Sequence, residues 1–215
     1  EDPDIRGATL RAIRDVQDEM LLARIINLFG PWYEADARVQ GYFAERTARE
    51  YGLGIFPHVS RAAASHTQAR ALLERWTHSD LGVGAMAMGR LIELVPTNPD
   101  ARRRVLAMCG TPKGLKRVSL RSVAELALTE PDFLRVYIEA LLSASPAMAV
   151  NALNVELLRQ PEVRAAALTV AGGPDEVAWR TPLVRSVKPE VRDVAYARLG
   201  LIASEDTEVW IFLLE

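Results

Sequence analysis

Pro161-Glu162-Val163-Arg164 is followed 28 residues later by Pro189-Glu190-Val191-Arg192, and the same order of residue types runs back through the whole chain. Upstream it reads Pro3-Asp4-Ile5-Arg6, Ala35-Asp36-Ala37-Arg38, Thr67-Gln68-Ala69-Arg70, Pro99-Asp100-Ala101-Arg102 and Pro131-Asp132-Phe133-Leu134. Successive copies lie 32, 32, 32, 32, 30 and 28 residues apart. A period of this size marks stacked helical units, none of which buries its apolar face alone. The fourth position is Arg in six of seven copies; with 23 Arg in 215 residues, fewer than one would fall there by chance. The second position is acidic except at Gln68, and the third is apolar throughout. Leu134 breaks the Arg column, with Arg135 beside it.

Each position has a physical reason. Pro suits the first turn of a helix, where its missing N–H costs nothing. An acid beside it favours the positive end of the helix dipole. Apolar residues follow at helical spacing, as in Ile5, Leu10 and Ile13 or Val163, Ala166, Val170 and Ala171. Gly110, Gly172 and Gly200 stand where C-terminal caps would. Between the motif helices lie second apolar stretches at about 15–29, 53–64, 80–95, 113–129, 146–159, 175–187 and 205–214. Seven helix pairs thus account for almost every residue, with no strand signal of length and no long loop.

The stretches 161–168 (Pro-Glu-Val-Arg-Ala-Ala-Ala-Leu) and 189–196 (Pro-Glu-Val-Arg-Asp-Val-Ala-Tyr) resemble the second helix of HEAT repeats, particularly the short bacterial type. The resemblance is strong there, fair at 3, 99 and 131, weak at 35 and 67, and spans the chain. It implies an all-α, right-handed α-solenoid of about seven HEAT-like helix pairs, a single repeat domain over 1–215. It also implies that the motif Arg reaches acidic or carbonyl groups of the adjacent repeat. Arg6, Arg38, Arg70, Arg102, Arg164 and Arg192 receive that structural ladder role by resemblance, which makes catalysis by any one of them an unfavoured reading.

Apolar residues are 49% and charged residues 25% of the chain, and the net charge is −2, so there is no bulk attraction to nucleic acid or membrane. No run of eighteen apolar residues offers a membrane span. The single Cys109 excludes an internal disulfide and reads as a buried thiol. That is compatible with a reducing, cytoplasmic compartment without establishing one. The chain has no initiator Met, opens inside a near-consensus unit, and closes on the apolar 209–214 with no polar capping helix behind it. Solenoids need polar outer faces on terminal repeats, so the expectation is a piece of a longer protein. A processed mature chain, or ends that pack on a partner, are the alternatives.

Arg102, Arg103, Arg104, Lys113, Lys116, Arg117 and Arg121 form a basic block with no acid between Asp100 and Glu125. Its functional reading is an anion site for phosphate, nucleic acid or an acidic partner segment; its plain reading is a solvated face plus the ladder Arg. The nearby 110–114 (Gly-Thr-Pro-Lys-Gly) lacks phosphate-loop spacing. Gly82, Gly84 and Gly89 in one helical stretch cost about 1 kcal/mol each relative to Ala. Close approach of a neighbouring helix is the usual compensation, a partner groove with Met86 and Met88 the alternative. His58, His66 and His78 have no ligand spacing, so no metal site is expected. No nucleophile motif or cofactor fingerprint is present. Asp15, Asp18 and Glu19 suit a helix start, and Trp32-Tyr33 after Gly30-Pro31 suits a turn with aromatic packing.

These features favour a non-enzymatic protein-binding scaffold or adaptor that recognises a protein partner on an extended solenoid surface. A second reading is a DNA-binding enzyme resembling the alkylation-repair glycosylases, for which Trp76 and Asp80 are the suggestive pair. The acidic charge balance and the absence of a broadly basic face count against it, so nucleic acid is the less favoured partner. A third is a bilin-lyase-like protein, supported by repeat length alone.

Overall fold

The computed structural model describes residues 3–14, 18–44, 48–79, 82–143, 147–172 and 189–214. Among them every regular element is a helix and none is a strand. In order they are α1 (Pro3–Ala12), α2 (Glu19–Phe29), a 3₁₀ turn (Gly30–Trp32), α3 (Ala37–Ala44), α4 (Ala48–Ala62), α5 (Thr67–Trp76), α6 (Gly82–Leu94) and α7 (Pro99–Cys109). Then follow α8 (Pro112–Val118), α9 (Leu120–Ala127), α10 (Pro131–Leu141), α11 (Ala147–Asn151), α12 (Val155–Leu158), α13 (Pro161–Gly172), α14 (Pro189–Leu199) and α15 (Thr207–Leu214). Six of the seven motif copies open a helix on their first residue. The exception, α3, starts two residues late because Asp36 acts as its cap, its carboxylate accepting from the Arg38 N–H at 2.9 Å. The expected stretch at 175–187 lies outside the described residues.

The chain divides into two compact units, Glu1–Ala107 and Met108–Glu215. In the first, α1 packs on α3 and α3 on α5, while α2 packs on α4 and α4 on α6. The motif helices thus form one layer and the intervening helices another. The core between them holds Leu22, Ile25, Phe43, Ile55, Leu73, Trp76, Val83 and Leu91, all buried. In the second unit α10 packs on α9, α11 and α13, and α13 packs on α14, around Phe133, Tyr137, Leu141, Leu157 and Val163.

Two expected stretches are each divided by a side-chain cap. The one at 113–129 is interrupted at Ser119, which caps α9 by accepting from the Ser122 N–H at 3.2 Å. The one at 146–159 breaks before Asn154, which caps α12 by accepting from the Leu157 N–H at 2.9 Å. At the start of α2, Asp18 accepts from the Leu21 N–H at 3.0 Å, while Asp15 lies outside the described residues. Tyr33 is buried against Phe43, and Trp32 lies beneath the Arg6 guanidinium at 3.9 Å. The third motif position is not uniformly buried. Ala69, Ala101, Phe133 and Val163 are, but Ala37 is exposed and Ile5 is 65% exposed, so Ile5 is not a core residue.

The α6 glycines have different reasons. A Cβ at Gly84 would collide with the Ser79 carbonyl and lie 3.3 Å from the Trp76 carbonyl at the end of α5. The close approach is thus to the C-terminal end of α5, the neighbouring helix, and to the residues just beyond it. Nothing lies within 4 Å of a Cβ at Gly82 or Gly89. Gly89→Ala is therefore expected to raise stability by up to about 1 kcal/mol through helix propensity. Gly84→Ala should lower it by about 1–3 kcal/mol as an overpacked site. Urea denaturation of the two variants measures both signs.

Candidate functional site

In the first unit the motif charges are joined across neighbouring motif helices. Arg6, almost fully buried, lies 3.1 Å from Asp36, the acid of the next copy. Thirty residues again separate Arg70 from Asp100, at 2.8 Å. Arg70 also donates to the Ala63 carbonyl at 2.8 Å and the Thr67 hydroxyl at 2.9 Å, which fixes its guanidinium completely in its slot. Arg38 would meet Gln68 by this rule; instead it turns back to Asp4 at 3.2 Å, an exposed pair. In the second unit Arg164 pairs with Asp206 at 3.0 Å. Arg102 on α7 and Arg192 on α14 are both half-buried.

Asp100 collects more than its ladder partner. Arg104 donates to it at 3.0 Å, and Arg103 pairs with it as well. Burial alone would raise the Asp100 carboxyl, but the hydrogen bonds from Arg70, Arg104 and Arg103 hold it well below the ordinary carboxylate range. Arg104 also reaches Glu74. The basic block is accordingly compensated in part. Arg102, Arg103 and Arg104 belong to the first unit, where Asp100 and Glu74 compensate two of them. Lys113, Lys116, Arg117 and Arg121 belong to the second. There Lys113 and Lys116 are exposed, Arg117 is half-buried, and Arg121 pairs with Glu125 at 3.3 Å.

A cleft of about 580 Å³ opens in the second unit among α9, α11, the turn before α12, and α14. That volume falls in the range of ligand-binding clefts. Leu120, Ala124 and Met148 give it an apolar wall; Met148 is 51% exposed. Ser119 at its edge holds φ 67° and ψ 137°, and no other non-glycine described residue has a positive φ. Such backbone costs about 1–3 kcal/mol and concentrates at functional sites. Arg198 projects into the cleft and into an adjoining recess of about 420 Å³ that shares Asn151. Among the described residues Arg198 makes no ion pair. Its charge opposes the burial that pushes the Tyr137 hydroxyl upward, and that hydroxyl donates to the Ala149 carbonyl at 2.6 Å.

Both amides at the cleft are half-committed. Asn151 donates to the Ala147 carbonyl at 2.8 Å, leaving its oxygen open, and Asn154 uses its oxygen as a cap, leaving its NH₂ open. The cleft therefore offers a cation, an amide donor and an amide acceptor beside an apolar wall. That set matches the groups along an extended peptide with an acidic side chain or terminus. Nothing in the Arg198 sequence context marks it. Asn154 before Val155-Glu156-Leu157 carried a helix-start signal, and the Glu74–Arg104 pair could have been found from its 30-residue spacing.

The remaining candidates are structural in their placement. Trp76 is 2% exposed and lies against Phe56, so its ring does not present itself to a base; Asp80 lies outside the described residues. Burial lowers the affinity of His58 for a proton, and the Arg61 charge adds to it. His66 stands at the start of α5 without capping it, and His78 is exposed. Cys109 is buried and its thiol is pushed up to about 11 by that burial, the environment of an inert thiol. Among the described residues no group of three His, Cys, Asp or Glu side chains could hold a metal ion, and no helix is long and apolar enough to cross a membrane. No known family model matches the chain, and no curated protein or solved structure matches it significantly.

Proposed function

We propose that the chain is a non-enzymatic protein-binding scaffold, an α-solenoid of about seven HEAT-like helix pairs, that takes a protein partner along its helix-lined surface. The observation that carries this reading is the repeated pair Arg6–Asp36 and Arg70–Asp100, each joining one motif helix to the next at a separation of 30 residues. Charges placed in buried ion pairs hold neighbouring units in register and are not presented to a substrate. Recognition then falls to the surfaces that stacking leaves between helices, as in other repeat proteins. The cleft at Arg198 is such a surface, with an apolar wall and unsatisfied polar groups side by side.

The test is capture from the source cell by the full chain, followed by quantitative binding of the captured protein. Arg198→Glu is expected to weaken that binding at least tenfold, the loss typical of a charged anchor. Lys113→Glu with Lys116→Glu should slow association at low salt and have little effect at high salt, since exposed charges are screened. Unchanged affinity with Arg198→Glu would remove the cleft from the proposal. Salt-dependent binding of duplex DNA with release of alkylated bases would replace the scaffold with the glycosylase-like reading.

A further inference from the structure

Resting on the reading of the Arg198 cleft as a partner-binding surface, we infer that the cleft and its adjoining recess form one groove for an extended peptide segment. The groove selects that segment by an internal charge pair, an acidic side chain at Arg198 and a basic side chain two residues away at Asp193. The cleft of about 580 Å³ and the recess of about 420 Å³ are both lined by Asn151 and Arg198, so the two meet there. In the recess Asp193, Val194, Ala197 and Arg198 form one face of α14, with Leu201 just beyond the helix end. The recess therefore runs along α14 and carries the groove past Arg198.

Four ionised side chains line the groove among the described residues. Arg121 and Glu125 pair with each other at 3.3 Å and cancel. Arg198, half-buried, and Asp193, exposed, make no ion pair among the described residues, with each other or with any neighbour. They are thus the two charges that the fold leaves for a ligand. Five residues apart on α14, they are offset by about 7.5 Å along its axis. An extended peptide advances about 3.3 Å per residue and turns every second side chain to the same side. An acidic residue and a basic residue at i and i+2 match that offset. A terminal carboxylate is the poorer occupant, because the groove continues past Arg198 toward the negative charge of Asp193. The open oxygen of Asn151 and the open NH₂ of Asn154 can take main-chain N–H and C=O groups of the segment whatever its sequence. The wall of Leu120, Ala124 and Met148 belongs to the cleft and not to the recess. It places an apolar side chain on the side of the acidic residue away from the basic one.

The experiment titrates the full chain, by fluorescence anisotropy, with two synthetic peptides blocked at both ends: Leu-Ala-Asp-Ala-Lys and its reverse, Lys-Ala-Asp-Ala-Leu. One order is expected to bind saturably, the other more weakly. Asn in place of the peptide Asp, or Arg198→Glu in the chain, should weaken binding about tenfold or more. Glu in place of the peptide Lys should weaken it about threefold at low salt, the modest effect of an exposed charge. Asp193→Lys should invert that last preference, so that the peptide with Glu binds better than the one with Lys. An inversion is a readout that a misfolded variant does not produce. Failure of both orders to bind, or an Asp193→Lys variant that still prefers Lys, overturns the proposal. So does an Asn-containing peptide with a free C-terminus that binds as tightly as the blocked Asp peptide, since the groove would then hold a terminal carboxylate. The captured partner separates this failure from that of the scaffold reading. If its binding still depends on Arg198, only the charge-pair specificity falls; if it does not, the cleft falls as well.

Discussion

Asp100→Ala is expected to destabilise the first unit by about 3 kcal/mol, more than Arg70→Met, although the two residues form one pair. The asymmetry follows from their other partners. Arg70 is 6% exposed at its side chain and has Asp100 as its carboxylate; without it a buried guanidinium keeps only the Ala63 carbonyl and the Thr67 hydroxyl. Removing one member of a buried pair leaves an uncompensated charge, at a cost of about 3–5 kcal/mol. Asp100 without Arg70 still has Arg103 and Arg104. Urea denaturation of both variants measures the ranking, and the opposite order would remove Asp100 as the hub of the network.

The same carboxylate fixes a pH dependence. Its folded pKa is depressed, so its contribution is complete above the unfolded value of about 3.9 and is lost as pH falls below that toward the folded value. The stability of the parent chain should therefore drop more steeply below about pH 4 than that of Asp100→Ala. Parallel acid limbs would contradict the assignment.

Phe133→Ala should cost about 3–5 kcal/mol, whereas Ile5→Ala, at the same motif position, should cost less than about 0.5 kcal/mol. Phe133 is 0% exposed in α10, the helix that packs on α9, α11 and α13; Ile5 is 65% exposed on α1. Thermal or urea denaturation distinguishes the two directly. Equal effects would mean that the motif alone, rather than its neighbours, decides burial.

That contrast shows where the sequence was legible. The helix starts could be read because Pro and the adjacent acid act through local backbone chemistry, and the structure begins α1, α7, α10, α13 and α14 on those prolines. Burial of the third position could not, because it depends on what lies opposite, and Ile5 and Val163 look alike within the motif. Asp36 and Asp100 were read as dipole partners; they also receive the Arg of the preceding copy, a contact set by the repeat period rather than by neighbours in sequence. The Arg198 cleft was hidden for a related reason. Its members are far apart in the chain, and its most unusual feature, the positive φ of Ser119, occurs in Val118-Ser119-Leu120 without a glycine to announce it. The basic block could be read from the sequence, but its ion pairs could not. Its seven residues are spread over 102–121, and Asp100, Glu74 and Glu125 compensate Arg103, Arg104 and Arg121.

The most direct measurement of the scaffold claim is the composition of the complex that the chain forms in its own cell. Size-exclusion chromatography with light scattering and ultraviolet absorbance reports mass and nucleic-acid content together. The account predicts added mass in one protein at fixed stoichiometry, with a protein-like absorbance ratio, and loss of that mass with Arg198→Glu. A complex whose added mass is nucleic acid, dissociating steeply with salt, would contradict it.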